Sequence, residues 1–159
     1  MKKTISLITV LSVIILLMNS CASSKLLPVD VSNNAKNVVN PENKALVYVY
    51  RISALGFAVG LSVDCNNKEL TSFFPKQFYL CVLDPGKYVF TGHGENEDDV
   101  IATLEPNKKY YVEVTPQMGF VKARCKLTLV DAAEGSADIQ KCKLVGMNLE
   151  AKALLNYKE

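Results

Sequence analysis

The stretch that most constrains this chain is Ala45–Arg51 (ALVYVYR), six apolar or aromatic residues in a row ending on an arginine. β-Branched and aromatic side chains suit a pleated strand, and continuous apolarity without alternation requires cover on both faces. Such a strand belongs in the middle of a sheet. After it the chain breaks into short strand-like runs separated by turn residues. Ala58–Cys65 alternates and is followed by the Asn66-Asn67 turn and Lys68–Phe74. Gln77–Leu83 lies beyond Pro75, and Lys87–Thr91 follows the Asp84-Pro85-Gly86 turn. Val100–Leu104, Lys108–Thr115 and Val121–Leu129 complete the series, the last with Val121, Ala123, Cys125, Leu127 and Leu129 on one face and Lys122, Arg124, Lys126 and Thr128 on the other. This spacing predicts a mostly β chain, a single antiparallel β-sandwich of about seven to eight strands with one short C-terminal helix packed on it.

The helix is expected where the period changes. Asp131 with Glu134 three residues on has the form of a capping box, and Ile139 and Cys142 fall on one side of the following turns, which Gly146 ends. Met147–Tyr157 reads as a second helix or a fraying tail. The domain boundaries that follow are residues 1–20 for a signal peptide, 21–44 for a lipidated cysteine and flexible tether, 45–145 for the β-sandwich and 146–159 for a C-terminal tail or short helix.

The beginning of the chain carries the address. Lys2 and Lys3 precede Ile5–Met18, an apolar run of 14 residues broken only by Ser6, Thr9 and Ser12, and small or polar residues follow. That is the order of a secretory signal peptide, and the run is shorter than the ~20 residues of a comfortable span, although the uncharged interval to Ser24 can be stretched into one. Leu17-Met18-Asn19-Ser20-Cys21 resembles the lipobox of bacterial lipoproteins, in which the cysteine is acylated; Asn19 departs from the small or aliphatic residue usual there. The alternative is cleavage after Ala22 or Ser24 and a soluble secreted product. Ala22–Lys44 contains Pro28, Pro41 and five asparagines with little apolar periodicity. Read as a random coil it gives the domain roughly 25 Å of r.m.s. freedom.

Without Lys2 and Lys3, sixteen basic residues face sixteen acidic ones, so no charge excess points to nucleic acid. Of five cysteines, setting Cys21 aside for lipid leaves Cys65, Cys81, Cys125 and Cys142, an even set that an oxidising compartment would pair. Cys125 with Cys142 and Cys65 with Cys81 is the default pairing among the three connectivities that four cysteines allow.

ALVYVYR at Ala45–Arg51, FYLCVLDPGKY at Phe78–Tyr88, NKKYYVEV at Asn107–Val114 and EGSADIQKCKL at Glu134–Leu144 together resemble a bacterial domain-of-unknown-function family of small lipoproteins and exported proteins. The resemblance implies a compact β-sandwich on a lipid tether and implies no catalytic residues. With Ala22 rather than aspartate after Cys21, the similarity to enterobacterial sorting rules implies the outer membrane, facing the periplasm.

Four side-chain groups could carry chemistry. His93, the single histidine, lies near Glu95, Glu97, Asp98 and Asp99 and is the one candidate for acid–base or metal work. Phe73, Phe74, Phe78 and Tyr79 could form an aromatic platform for a glycan or peptide. Lys122, Arg124 and Lys126 could meet anionic lipid or phosphate. The cysteines are disulfide candidates; neither a metal site nor a cofactor is expected. The favoured reading is a non-enzymatic envelope lipoprotein, membrane-bound through its N-terminal lipid and acting on an envelope protein or glycan partner. The alternative is a secreted hydrolase or metal-dependent enzyme using His93 and the acidic loop at 95–99.

Overall fold

The computed structural model describes residues 25–158, so the signal-peptide and Cys21 readings fall outside the described residues. In chain order the elements are α1 (Val29–Lys36), β1 (Ala45–Arg51), β2 (Leu61–Cys65), β3 (Lys68–Phe73), β4 (Gln77–Leu83), β5 (Gly86–His93), β6 (Glu97–Leu104), β7 (Lys109–Gln117), β8 (Arg124–Val130), α2 (Ala132–Gln140), β9 (Lys143–Met147) and α3 (Leu149–Leu154). The chain is mostly β, in two sheets ordered β8-β7-β1-β4-β9 and β3-β2-β5-β6.

Strand β1 does what its composition demands. Ala45, Val47 and Val49 enter the core between the sheets, with Leu61, Val63, Phe73 and Phe90 opposite. Leu46, Tyr48 and Tyr50 point the other way into a second core, where Ala35 of α1, Ile139 of α2 and Ala151 of α3 cover the five-stranded sheet. The result is three layers, helices on sheet on sheet. Tyr48 stacks on Tyr111 with ring centroids 5.3 Å apart, and its hydroxyl donates to the Ala35 carbonyl at 3.0 Å.

Three expectations are corrected. The sheets are not wholly antiparallel, because β1 pairs with β7 and β4 with β9 in parallel. Lys143–Met147 is a strand rather than the end of a helix; α2 stops at Gln140 and serves as the crossover that lays β9 beside β4. A parallel partner needs such a crossover, and a five-residue strand containing Gly146 carries too little period to show itself in sequence. The third correction concerns residues 21–44. From Leu27 onward this segment is docked: the Leu27 amide donates to the Leu144 carbonyl at 3.0 Å, the Ser32 hydroxyl accepts from the Leu144 amide at 3.1 Å, and Ala35 is fully buried. Its asparagines Asn33 and Asn34 lie on the exposed face of a short helix and Asn37 caps its end, which hid the narrow buried side. The predicted cap of α2 is present, with the Asp131 carboxylate accepting from the amides of Ala133 and Glu134 at 2.9 and 3.0 Å.

The two sheets meet differently along their two open sides. On one side the edges of β8 and β6 are stitched by side chains. Asn96 accepts from the Cys125 amide at 2.9 Å and donates to its carbonyl at 3.0 Å, while Asp98 accepts from the Leu127 amide at 2.8 Å. Exposed strand edges invite pairing with another chain, and these polar stitches occupy that edge. On the opposite side β9 and β3 are edge strands of different sheets that do not pair, and a cleft opens beside them.

Arg51 closes one end of the inter-sheet core. Its side chain is fully buried, and its guanidinium donates to five main-chain carbonyls: Ser53 at 3.3 Å, Val59 at 2.7 Å, Phe73 at 3.0 Å, Leu55 at 2.6 Å and Gly56 at 3.0 Å. Burial draws its pKa below the ordinary value, yet a guanidinium stays charged at any working pH. The planar fork matches this cage, which an ammonium with three donors does not. Arg51→Met should therefore destabilise the chain by about 3 kcal/mol or more, since it leaves several buried carbonyls without a donor. A urea titration followed by circular dichroism checks this, with Arg51→Lys expected to recover only part of the loss.

Candidate functional site

His93 is the last residue of β5, on the solvent face of the four-stranded sheet, rather than in a loop. Its neighbours follow from strand register: Glu97 stands directly across on β6 and Asp64 diagonally across on β2. Nε2 of His93 lies 3.0 Å from Asp64 Oδ2, and Nδ1 lies 3.5 Å from Glu97 Oε1. Of the acidic residues expected to join it, Glu97 alone makes a contact. Glu95 turns to the 118–123 loop, where its carboxylate accepts from the amides of Phe120, Val121 and Lys122 at 3.2, 2.8 and 3.0 Å. Those three amides hold its pKa below the ordinary carboxylate value. Asp98 is spent on the β8 edge, and Asp99 is exposed on β6. Among the described residues no group of three or more His, Cys, Asp or Glu side chains converges as a metal site.

The cysteines do not pair. Cys65, Cys81, Cys125 and Cys142 are buried free thiols. Cys125 points into the inter-sheet core and Cys142 into the helix layer, so the five-stranded sheet itself separates the pair that sequence placed together. The expectation failed because Cys142 sits in the turn after α2 instead of on the helix. Cys65 and Cys81 do share the inter-sheet core, as thiols. The aromatic platform is likewise not assembled, because Phe73 and Phe78 are fully buried on opposite sides of the five-stranded sheet. Lys122, Arg124 and Lys126 are exposed as expected.

Sequence reasoning missed the cleft between β3 and β9. It has a volume of about 810 Å³ and is walled by Leu70 and Thr71 of β3, Tyr79 of β4 and Val145–Met147 of β9, with Lys25–Val29 along one lip and Lys152 and Tyr157 along another. Tyr79 lies flat over Gly146, where a Cβ would come within 2.6 Å of the ring, and burial pushes its phenol up to about 12. The lining mixes apolar side chains with two phenols and two ammonium groups, a composition suited to binding. Neither it nor the smaller depression between the loops around Leu55 and Val121 includes His93. The missing sequence signal was β9: without it the neighbour of β4 cannot be named.

No family model matches the chain. A chain from Haemophilus influenzae described as an uncharacterized protein is 25% identical over 131 residues, spanning 81% of this chain and 78% of its own length.

Burial raises the thiols of Cys65 and Cys125 to about 11 and that of Cys142 to about 12, so at pH 7 the thiolate fraction at the first two is about one in ten thousand. All four thiols should resist an aromatic disulfide reagent in the native chain and react on unfolding in guanidinium. Because the folded pKa values lie above the unfolded ones, the stabilisation is complete below about pH 9 and is lost as pH rises toward 12. Chemical denaturation at stepped pH should show the midpoint falling across that interval, with no matching loss between pH 6 and 8 from these groups.

Proposed function

We propose that this chain is a bacterial envelope lipoprotein, held to a membrane by acyl chains on Cys21, whose folded part is a non-enzymatic binding or structural module. The observation that carries this reading is where the fold begins. Leu27 is already bonded to β9 and α1 follows at once, so the stretch between the lipobox-like cysteine and the domain is Ala22–Leu26 rather than some two dozen residues. From Cys21 to Leu27 the chain can span at most about 21 Å. A soluble secreted domain has no need of a cysteine at that distance, whereas an anchored one is placed by it directly on the bilayer surface. The arrangement fits a small sandwich-like domain facing the periplasm, as the lipobox resemblance implies for the outer membrane.

The Cys21→Ala variant tests the anchor. Processing to the mature mass with added acyl chains should be lost, and the chain should leave the membrane fraction for the soluble one, with the folded domain unaltered by circular dichroism. Unchanged acylation mass and unchanged partition would end the lipoprotein reading.

A hydrolytic reading draws support from one observation, the contacts of His93 with Asp64 and Glu97. These side chains stand on an open, solvated sheet face, where such ion pairs are usually worth under about 1 kcal/mol. His93→Gln should accordingly leave the denaturation midpoint nearly unchanged and alter no turnover in a panel of ester, phosphate and peptide substrates. A turnover present in the parent chain and abolished by that substitution would favour the enzyme.

A further inference from the structure

The strand registers place the ends of β1, β7 and β3 and the starts of β4, β6, β8 and β9 at one end of the two sheets. Two neighbouring loops there, 52–60 and 118–123, display large apolar side chains to solvent: Leu55 is 50% exposed, Phe57 75%, Met118 83%, Phe120 97% and Val121 86%. With Val59 these make six of the twelve exposed large hydrophobic residues among those described, the others being scattered over the surface. Contiguous exposed apolar groups mark an interaction surface, unlike single ones.

The main chain of both loops is arranged the opposite way. Arg51 draws the carbonyls of Ser53, Leu55, Gly56 and Val59 inward, and Glu95 draws in the amides of Phe120, Val121 and Lys122. Main-chain polar groups of both loops thus have a charged partner within the protein, the buried Arg51 for one loop and the surface carboxylate of Glu95 for the other, while apolar side chains face out. Non-helical main chain enters an apolar medium at high cost unless its polar groups already have partners within the protein, and at these positions they do.

Charge and chain path indicate which medium. Lys76, Lys122, Arg124 and Lys143 stand exposed around the tip. The acidic groups at this end are Glu95, bonded to three amides beside Arg124, Asp98, bonded to the Leu127 amide, Asp138, paired with Lys141 at 2.8 Å, Asp64 and Glu97, beside His93, and the exposed Asp99. The free charge around the apolar tip is therefore mainly positive, as anionic headgroups require. Leu27 is bonded to Leu144, the second residue of β9, so the N-terminal segment reaches the domain near the same end.

We infer that the 52–60 and 118–123 loops insert Phe57, Met118, Phe120 and Val121 into the interfacial region of an anionic bilayer, with the basic residues on its headgroups. This rests on the anchored reading above and makes the lipid on Cys21 and the loop tip two contacts with one surface. The chain contains no tryptophan, which supplies a clean reporter. Phe57→Trp, Phe120→Trp and, as a control on the exposed sheet face, Ile101→Trp are placed singly in the full acylated chain. Each is reconstituted in phosphatidylethanolamine–phosphatidylglycerol vesicles carrying lipids brominated on the acyl chain. Insertion predicts blue-shifted, bromine-quenched emission for Phe57→Trp and Phe120→Trp and neither effect for Ile101→Trp, with quenching reduced in vesicles of phosphatidylcholine alone. Flotation with the vesicles but no quenching above the control overturns the insertion and leaves the anchor standing. Failure to float overturns both. Equal quenching in neutral vesicles removes the role given to the basic residues, and a blue shift without bromine quenching at doubled mass assigns the tip to a second copy of the chain instead.

Discussion

A fully buried guanidinium with five carbonyl acceptors is the contact on which this architecture turns. Arg51 continues the inward-facing row of Ala45, Val47 and Val49, so at the position where the next apolar residue would stand the core ends on a charge. Its acceptors lie on the loop after β1 and, through Phe73, on the last residue of β3 in the other sheet. One side chain therefore bridges both sheets and sets the path of the loop between β1 and β2. An apolar residue there would leave those carbonyls unpaired in a dry site, and a carboxylate would meet five acceptors with none to give.

The same logic runs through polar residues whose partners lie far away in the chain. Asn96 and Asp98 bond the main chain of β8, Glu95 bonds the 118–123 loop, and Ser32 bonds β9. Each satisfies main-chain groups that the sheet ladders leave over. An acidic run between two strands looks like a wet connection until the strand it faces is known, and that strand, β8, is some 29 residues away in the chain.

What could be read from the residues alone was what local period encodes. The doubly covered β1, the Asn66-Asn67 and Asp84-Pro85-Gly86 turns, the alternation of buried Cys125 and Leu127 with exposed Arg124 and Lys126 in β8 and the Asp131 cap all depend on neighbours within a few positions, whereas Val121 and Leu129, expected on the same inward face, are exposed. What could not be read depends on distant partners. The parallel pairings of β1 with β7 and β4 with β9 have no local signature, and Lys143–Met147 is too short to show a period of two. The cysteines illustrate this best. A helix folding back over the sheet was expected to bring Cys125 and Cys142 together, but which face of a sheet each occupies is set by a strand that sequence reading had not recognised.

Correcting the N-terminal segment from a coil of some two dozen residues to a few residues changes its physical role. A long coil separates a domain from its anchor and lets it sample any orientation, which would make the identity of its surfaces irrelevant to the membrane. Under the proposed anchoring, a leash of at most about 21 Å restricts the orientations open to the domain, so the face nearest the attachment point must be compatible with headgroups. At that end the apolar side chains of two loops project outward while Arg51 and Glu95 hydrogen-bond their main-chain polar groups. An apolar tip on a freely wandering domain would be a liability for aggregation; under the proposed anchoring it meets a bilayer, and the hydrogen bonds that Arg51 and Glu95 make to the two loops leave fewer main-chain groups there without a partner.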